Sequence, residues 1–250
     1  MNPIVIGGSG GSGTRAVARF LAAIGVQMGG YLNHAADALA FADILDALIN
    51  PILENTRCVD YDPNTLPIDL AACAVQMIHS AADIHCAPSA RDRRWGFKNP
   101  RHMFLLPMLN RAFPKFVFVH VLRDGRDMLF SANRNQLRKH YQDLFGRPED
   151  HTLEASAAFW STVNLEAAAY GKRVLKSRYI LLRLEDFCGA ARQDYALRLA
   201  KELELDKCRA VANLDIFRAP ASLGRWRAHS EELPASTGIF GKALRHFGYY

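Results

Sequence analysis

The stretch Ile4-Val5-Ile6-Gly7-Gly8-Ser9-Gly10-Gly11-Ser12-Gly13-Thr14-Arg15 decides the reading of this chain. An apolar run ends in a glycine-rich loop. The loop opens into a helical pattern marked by Ala16, Val17, Phe20, Leu21 and Ile24. Strand, loop and helix in that order build an anion site. Glycines let backbone N–H groups converge without Cβ clashes, and the helix N-terminus adds roughly half a positive charge. The loop is expected to hold a phosphate or a sulfate.

Three templates fit it. Gly8-x-Gly10-x-x-Gly13 satisfies the dinucleotide fingerprint, which also needs a second strand ending in an acid about 20 residues on. Residues 26–42 contain no β-rich run, and Asp37 falls in a polar, alanine-rich stretch. The nucleoside-triphosphate loop needs Lys-Ser/Thr after its second glycine. Thr14-Arg15 stands there instead, so the group that reaches the β- and γ-phosphates is missing. The third template needs one bound phosphate and a hydroxyl at the helix start, which Ser12 and Thr14 supply. A tight glycine turn with no ligand is the bland alternative.

A second anion site is expected about 110 residues on. Lys115-Phe116-Val117-Phe118-Val119-His120-Val121-Leu122 reads as a buried strand. Arg123-Asp124-Gly125-Arg126-Asp127 follows, then a helical pattern with Met128, Leu129 and Leu137. Arg123 falls at the carboxyl end of the strand, where open α/β sheets place ligands. Ser131, two helical turns past it, can face the same crevice. A guanidinium fork and a hydroxyl suit a phosphomonoester. The competing reading has Arg123 and Asp127 capping and pairing on the surface. Taken together, the two sites call for one nucleotide with phosphate at both its 5′ and 3′ ends.

These motifs resemble those of sulfotransferases that use 3′-phosphoadenosine 5′-phosphosulfate (PAPS). The first loop is similar to that family's 5′-phosphosulfate loop, with Gly13-Thr14-Arg15 similar to the variant in heparan sulfate 3-O-sulfotransferases. Arg123 followed eight residues later by Ser131 resembles the 3′-phosphate motif. Trp95-Gly96-Phe97-Lys98-Asn99-Pro100-Arg101 looks like the middle segment whose lysine lies near the transferred group. Ser222-Leu223-Gly224-Arg225-Trp226-Arg227 resembles a late segment that closes over the cofactor. The resemblance implies a P-loop-containing nucleoside triphosphate hydrolase-like α/β fold, a parallel β-sheet flanked by helices. It also implies PAPS as sulfate donor. The nucleotide would be held by Gly10, Gly11, Ser12, Gly13, Thr14, Arg15, Arg123, Ser131, Arg225 and Trp226.

The chain departs from the family pattern at identifiable places. Gly11 stands where the loop usually carries Lys or Arg, and Leu184, before Glu185-Asp186, stands where a tyrosine usually helps hold adenine. Lys98 and Arg15 are the available replacements for the loop cation. Lys98 ends a short apolar run and precedes Pro100, which stops the strand. Relatives draw their base from a histidine just past the middle lysine or from a glutamate after the loop helix. Pro100 occupies the histidine position, and His102 is the nearest imidazole. At the glutamate position fall Asn33 and His34, with Asp37 a helical step later. His34 is the first candidate base, since imidazole titrates near neutrality, and Asp37 the second. Each has a plainer reading as a surface or capping residue, Asp37 as cap of the helix suggested by Leu39, Phe41, Ile44, Leu45 and Leu48.

The 250 residues fit one α/β domain, with half of them hydrophobic for a core. A formal charge of +6 favours anionic ligands. The basic residues form no long run and no aromatic interleaving, so no nucleic-acid partner is expected. Arg91-Asp92-Arg93-Arg94 is the densest cluster, either a basic rim or a solvated loop. The five cysteines show no CxxC spacing, which argues against a disulfide framework or zinc site and for reduced thiols in a cytoplasm. No metal is expected. No apolar segment is long enough to span a bilayer, and the early strand leaves no room for a signal peptide.

Strands are predicted near 3–7, 95–98, 116–122 and 179–184. Helices are predicted near 14–25, 39–53, 67–84, 102–112, 127–141, 153–176 and 190–203. Their alternation predicts a parallel sheet covered on both faces. A single domain is expected over 1–250, with 205–250 as a C-terminal lid in which Trp226 either covers the nucleotide or packs in the interior. The expected activity is sulfuryl transfer from PAPS to a hydroxyl or amine of an acceptor: carbohydrate, lipid, peptide or small molecule. The rivals are a non-catalytic 3′-phosphoadenosine-binding protein and a divergent small-molecule kinase.

Overall fold

The computed structural model describes residues 1–250. Four strands form the sheet: β1 (Ile4–Gly8), β2 (Gly96–Lys98), β3 (Val117–Leu122) and β4 (Tyr179–Arg183). Eleven α-helices surround it in chain order. The first six are α1 (Thr14–Ala23), α2 (Ala42–Thr56), α3 (Ile68–His85), α4 (Leu106–Ala112), α5 (Gly125–Leu129) and α6 (Asn135–Phe145). Then come α7 (Leu153–Tyr170), α8 (Leu184–Cys188), α9 (Arg192–Glu202), α10 (Lys207–Ala212) and α11 (Gly238–His246).

The strand order is β2-β1-β3-β4, with every pair parallel. Ile6 pairs with Lys98, Gly8 with Val121, and Leu122 with Arg183. This register brings the ends of all four strands to one edge. The glycine loop, Lys98, Arg123 and Leu184 therefore emerge side by side. β1 is central and its neighbours lie on opposite sides, the switch point where such sheets bind ligands.

Both faces are covered, as parallel strands require. One face carries the largest core, where Val5, Phe97, Phe104 and Phe118 meet α2, α3, α4, α6 and α7. On the other, Ile4, Ile6, Val119 and Val121 meet α1, α9 and α10. Phe217 joins this second core, its ring 4.9 Å from that of Phe20 and 4.8 Å from that of Phe187. Burying a phenylalanine contributes about 2–3 kcal/mol, so Phe217 pins the chain just before the late Gly-Arg-Trp segment. A third core under α11 includes Trp160, Phe240, Leu244 and Phe247.

Two expected elements are corrected. The helix expected over 127–141 is interrupted: α5 ends at Leu129 and α6 begins at Asn135. Ser131 Oγ accepts from the Asn133 N–H at 3.2 Å, and Asn133 Oδ1 from the Asn135 N–H at 3.3 Å. Such local bonds compete with helical ones and break the run. The tail also carries a helix that the reading of 205–250 left out. In α11, Phe240, Ala243, Leu244 and then Phe247 recur at helical spacing and are buried.

Candidate active site

The loop between β1 and α1 is shaped by close approach of the strands. A Cβ on Gly8 would lie 2.2 Å from the Val121 carbonyl oxygen. Gly11 and Gly13 adopt φ of 97° and 98°, the left-handed region that L side chains avoid. Ser12 N–H donates to the Ser9 carbonyl at 3.0 Å, closing the turn. The amides of Gly11, Gly13, Thr14 and Arg15 find no protein acceptor. They are the free donors of a helix start.

These groups open onto a cavity of about 850 Å³. Gly11, Gly13, Thr14, Arg15, Asp37, Lys98, Arg123, Ser131 and Arg225 line it. Six cations border it (Arg15, Arg19, Lys98, Arg123, Arg218, Arg225) against two carboxylates, Asp37 and Asp215. Arg19 and Arg218 were not singled out from the sequence. Arg19 lies four residues after Arg15 and so shares its helix face.

Lys98 sits at the end of β2 with its side chain almost wholly buried. Its Nζ donates to Asp37 Oδ1 at 2.6 Å and to the Ala35 carbonyl at 3.0 Å. Burial lowers the pKa of this ammonium; Asp37 works against that, and the charge of Arg15 lowers it further. Asp37 is aimed by Asn33. Asn33 Oδ1 accepts from the N–H groups of Ala35 and Asp37, both at 2.9 Å, and its Nδ2 donates to Asp37 Oδ2 at 3.0 Å. This side-chain-closed turn is strapped to β2 by the Ala38 N–H, which donates to the Lys98 carbonyl at 2.8 Å.

His34, the first candidate base, is corrected. Its ring is exposed and borders no part of the cavity, because the Asn33 turn directs Asp37 inward instead. The capping alternative for Asp37 also fails, since its carboxylate serves Lys98 and Asn33. His102 is fully buried, and its Nδ1 accepts from the Asn99 N–H at 3.0 Å. Desolvation drives its pKa down to about 3. It is a neutral capping residue.

Arg123 is buried at the end of β3. Its Nε and Nη2 donate to Asp127 Oδ2 at 3.2 and 2.9 Å. Its Nη1 reaches Ser222 Oγ at 3.2 Å, and Nη2 also donates to the Ser222 carbonyl. Asp127 takes the late segment as well: Gly224 N–H donates to its Oδ2 at 2.7 Å and Trp226 N–H to its Oδ1 at 3.2 Å. The Arg123–Asp127 pair is therefore an interior junction rather than a surface cap. Arg225 Nη1 donates to the Phe130 carbonyl at 2.9 Å.

Three more site residues differ from expectation. Trp226 borders no part of the cavity; its ring stacks under the Arg126 guanidinium at 4.0 Å. Gly10 also lies off the large cavity, and its N–H donates to Gln136 Oε1 at 3.1 Å. Ser12 is fully buried within the turn, and its Oγ has no partner. The left-handed glycines on both sides of Ser12 fold it inward while Thr14 faces the cavity.

A central strand feeding a glycine loop at a helix start, with a guanidinium from the next strand facing the same cavity, defines an α/β protein of the phosphate-loop class. A family model described as the sulfotransferase family matches residues 3–206, and the chain belongs to that family. The solved sulfotransferase domain of a Synechococcus olefin synthase is 16% identical with a TM-score of 0.57, over 100% of this chain and 95% of that one. A Mycobacterium tuberculosis sulfotransferase is 13% identical with a TM-score of 0.52, over 100% of this chain and 77% of that one. The sulfotransferase domain from the curacin biosynthetic pathway is 12% identical with a TM-score of 0.53, over 100% and 99%. At these identities the likeness is one of fold. No curated protein sequence matches the chain. No helix is long and apolar enough to cross a membrane.

Proposed function

We propose that the chain transfers a sulfuryl group from PAPS to a hydroxyl or amine acceptor. The observation that carries this reading is the single basic cavity that joins free loop amides, Lys98 and Asp37, and the Arg123–Ser131 corner. One cavity bordered by both corners suits one nucleotide gripped at both phosphates.

In this mechanism the amides of Gly11, Gly13, Thr14 and Arg15, with the Thr14 hydroxyl, hold the 5′-phosphosulfate. Arg123, Ser131 and Arg225 hold the 3′-phosphate. The acceptor oxygen or nitrogen attacks sulfur in line with the bond to the 5′-phosphate. That S–O bond breaks, its electron pair stays on the phosphate, and Lys98 with Arg15 neutralises the charge that develops. Asp37 takes the acceptor proton, its carboxylate held ready by Asn33. The products are the sulfated acceptor and 3′,5′-phosphoadenosine. Within the region 205–250 expected as a lid, residues 218–232 close over the nucleotide, hinged beyond Phe217 and latched by Asp127. The reaction is assigned to a cytoplasm, and the acceptor to the carbohydrate, lipid, peptide and small-molecule classes together.

The competing reading is a nucleotide-binding protein without transfer. Gly11 favours it, because the usual loop cation is missing there and the left-handed backbone, φ 97°, disfavours a side chain. Calorimetric titration with 3′,5′-phosphoadenosine and with ATP comes first. Binding of the first alone supports the PAPS reading, and binding of ATP alone would point to the kinase. A labelled-sulfate screen over the four acceptor classes then separates enzyme from binder.

A further inference from the structure

We propose that Gln136 is a positioning residue that sets the anion-binding shape of the loop from behind. Gln136 lies in the first turn of α6 and is buried. Its Oε1 accepts from the Gly10 N–H at 3.1 Å, and its Nε2 donates to the Gly8 carbonyl at 3.0 Å. One amide thus spans the peptide groups on both sides of Ser9, as a neighbouring strand would. No other side chain hydrogen-bonds to the main chain between Gly8 and Arg15. The Gly10 amide is spent on the protein, while those of Gly11, Gly13, Thr14 and Arg15 stay free. Gln136 therefore decides which amides face the ligand.

A second amide braces the same point. Asn164 of α7 is fully buried; its Nδ2 donates to Ser9 Oγ at 3.0 Å and to the Trp160 carbonyl at 2.6 Å. Its Oδ1 lies 3.0 Å from His120 Nε2, and His120 Nδ1 lies 2.9 Å from the Tyr179 hydroxyl. With Nε2 protonated, the chain runs in one direction: Tyr179 donates to His120, His120 to Asn164, and Asn164 to Ser9. Glycine peptides rotate at little cost, so a loop built from them needs such bracing to present its donors in one arrangement. Pre-organisation of this kind appears as ligand affinity.

The inference rests on the reading that the loop binds the 5′ end of the nucleotide. Two variants test it. Gln136→Met keeps the length and removes both bonds. Gln136→Glu keeps the acceptor for Gly10 and loses the donor to Gly8 until the carboxyl is protonated. Each is folded and melted beside the wild type, then titrated calorimetrically with 3′,5′-phosphoadenosine. Gln136→Met should bind about tenfold or more weakly. Gln136→Glu should bind weakly at pH 8 and recover relative to wild type at pH 5.5. Binding by Gln136→Met within about twofold of wild type overturns the role. Amide hydrogen exchange on the wild-type protein gives an independent readout. Gly10 should exchange slowly and Gly11 fast, and a fast Gly10 overturns the clamp even if the variants do not fold. Should wild type bind no 3′,5′-phosphoadenosine, the nucleotide reading fails, and Gly10 exchange still decides whether the clamp exists.

Discussion

Lys98 Nζ lies 2.6 Å from Asp37 Oδ1, although 61 residues separate them in the chain. Both side chains border the cavity that the glycine loop opens onto. A buried ammonium and its carboxylate are costly to desolvate, and removing one partner leaves the other uncompensated. A pair placed on the wall of a basic cavity is better suited to chemistry than to stability.

Lys98→Ala should lower sulfuryl transfer by about a hundredfold or more, since a fixed donor to developing charge is worth about 3–4 kcal/mol. Asp37→Asn keeps the shape and the bond from Asn33 and removes the proton acceptor. It should lower turnover at saturating PAPS without weakening 3′,5′-phosphoadenosine binding. Steady-state kinetics with calorimetry beside them checks both; near-normal turnover in either variant removes that residue from the mechanism.

Restoring the usual loop cation should not help this protein. Gly11 has φ 97°, and a Cβ there would lie 3.4 Å from Met128 Cε and from Ser131 Oγ. Gly11→Lys therefore places a side chain in left-handed backbone, at about 1–2 kcal/mol. A lower melting temperature with no gain in turnover is the expected result. A faster enzyme would show that Lys98 and Arg15 do not replace the missing charge.

Asp127→Asn should loosen the late segment. The carboxylate accepts from Arg123 and from the N–H groups of Gly224 and Trp226. Neutralising it leaves the Arg123 guanidinium buried without a counter-charge, a loss of about 3–5 kcal/mol. Urea unfolding should report that loss. Limited proteolysis should cut earlier within 218–232 than in wild type, and an unchanged cleavage pattern would count against the latch.

Stability should fall as the pH drops below about 6.5. Burial lowers the pKa of His120 to about 4, and of His102 and His140 to about 3. All three are neutral in the folded chain, whereas the unfolded chain takes up protons as the pH falls through 6.5. The unfolded state then binds more protons, so each histidine costs about 1.4 kcal/mol per pH unit once that uptake is complete. Glu166 and Glu185, raised by burial, act in the opposite direction nearer their own range. The histidine effect is therefore cleanest between pH 6.5 and 5.5. Urea midpoints measured at half-unit steps would show it; a flat profile there would mean that the imidazoles are hydrated.

The four strands were legible because each is a short run of apolar, β-branched or aromatic residues bounded by glycine, proline or charge. The places of the glycine loop and Arg123 could be found for a related reason: each stands at a strand end. The Asn33 turn was not legible. His34 and Asp37 both offer a base in sequence, and only hydrogen bonds across the fold turn Asp37 toward Lys98. Gln136 carried no local signal, since its partners are backbone groups 126 and 128 residues away. Trp226 reads from sequence equally as a cover or as packing, and only the fold shows the Arg126 guanidinium over its ring.

By itself, then, the sequence determined the parallel α/β architecture, the glycine-rich loop after β1 and the arginine that ends β3 beside it, since strand pattern, glycine spacing and position along the chain are local properties. The tertiary structure alone decided which side chain meets Lys98, which loop amides stay free, and what Asp127 holds. Those outcomes depend on register between β1, β2 and β3 and on the seating of α6 and α7. The energies involved come from burial and from contacts between residues distant in sequence, which no local pattern records.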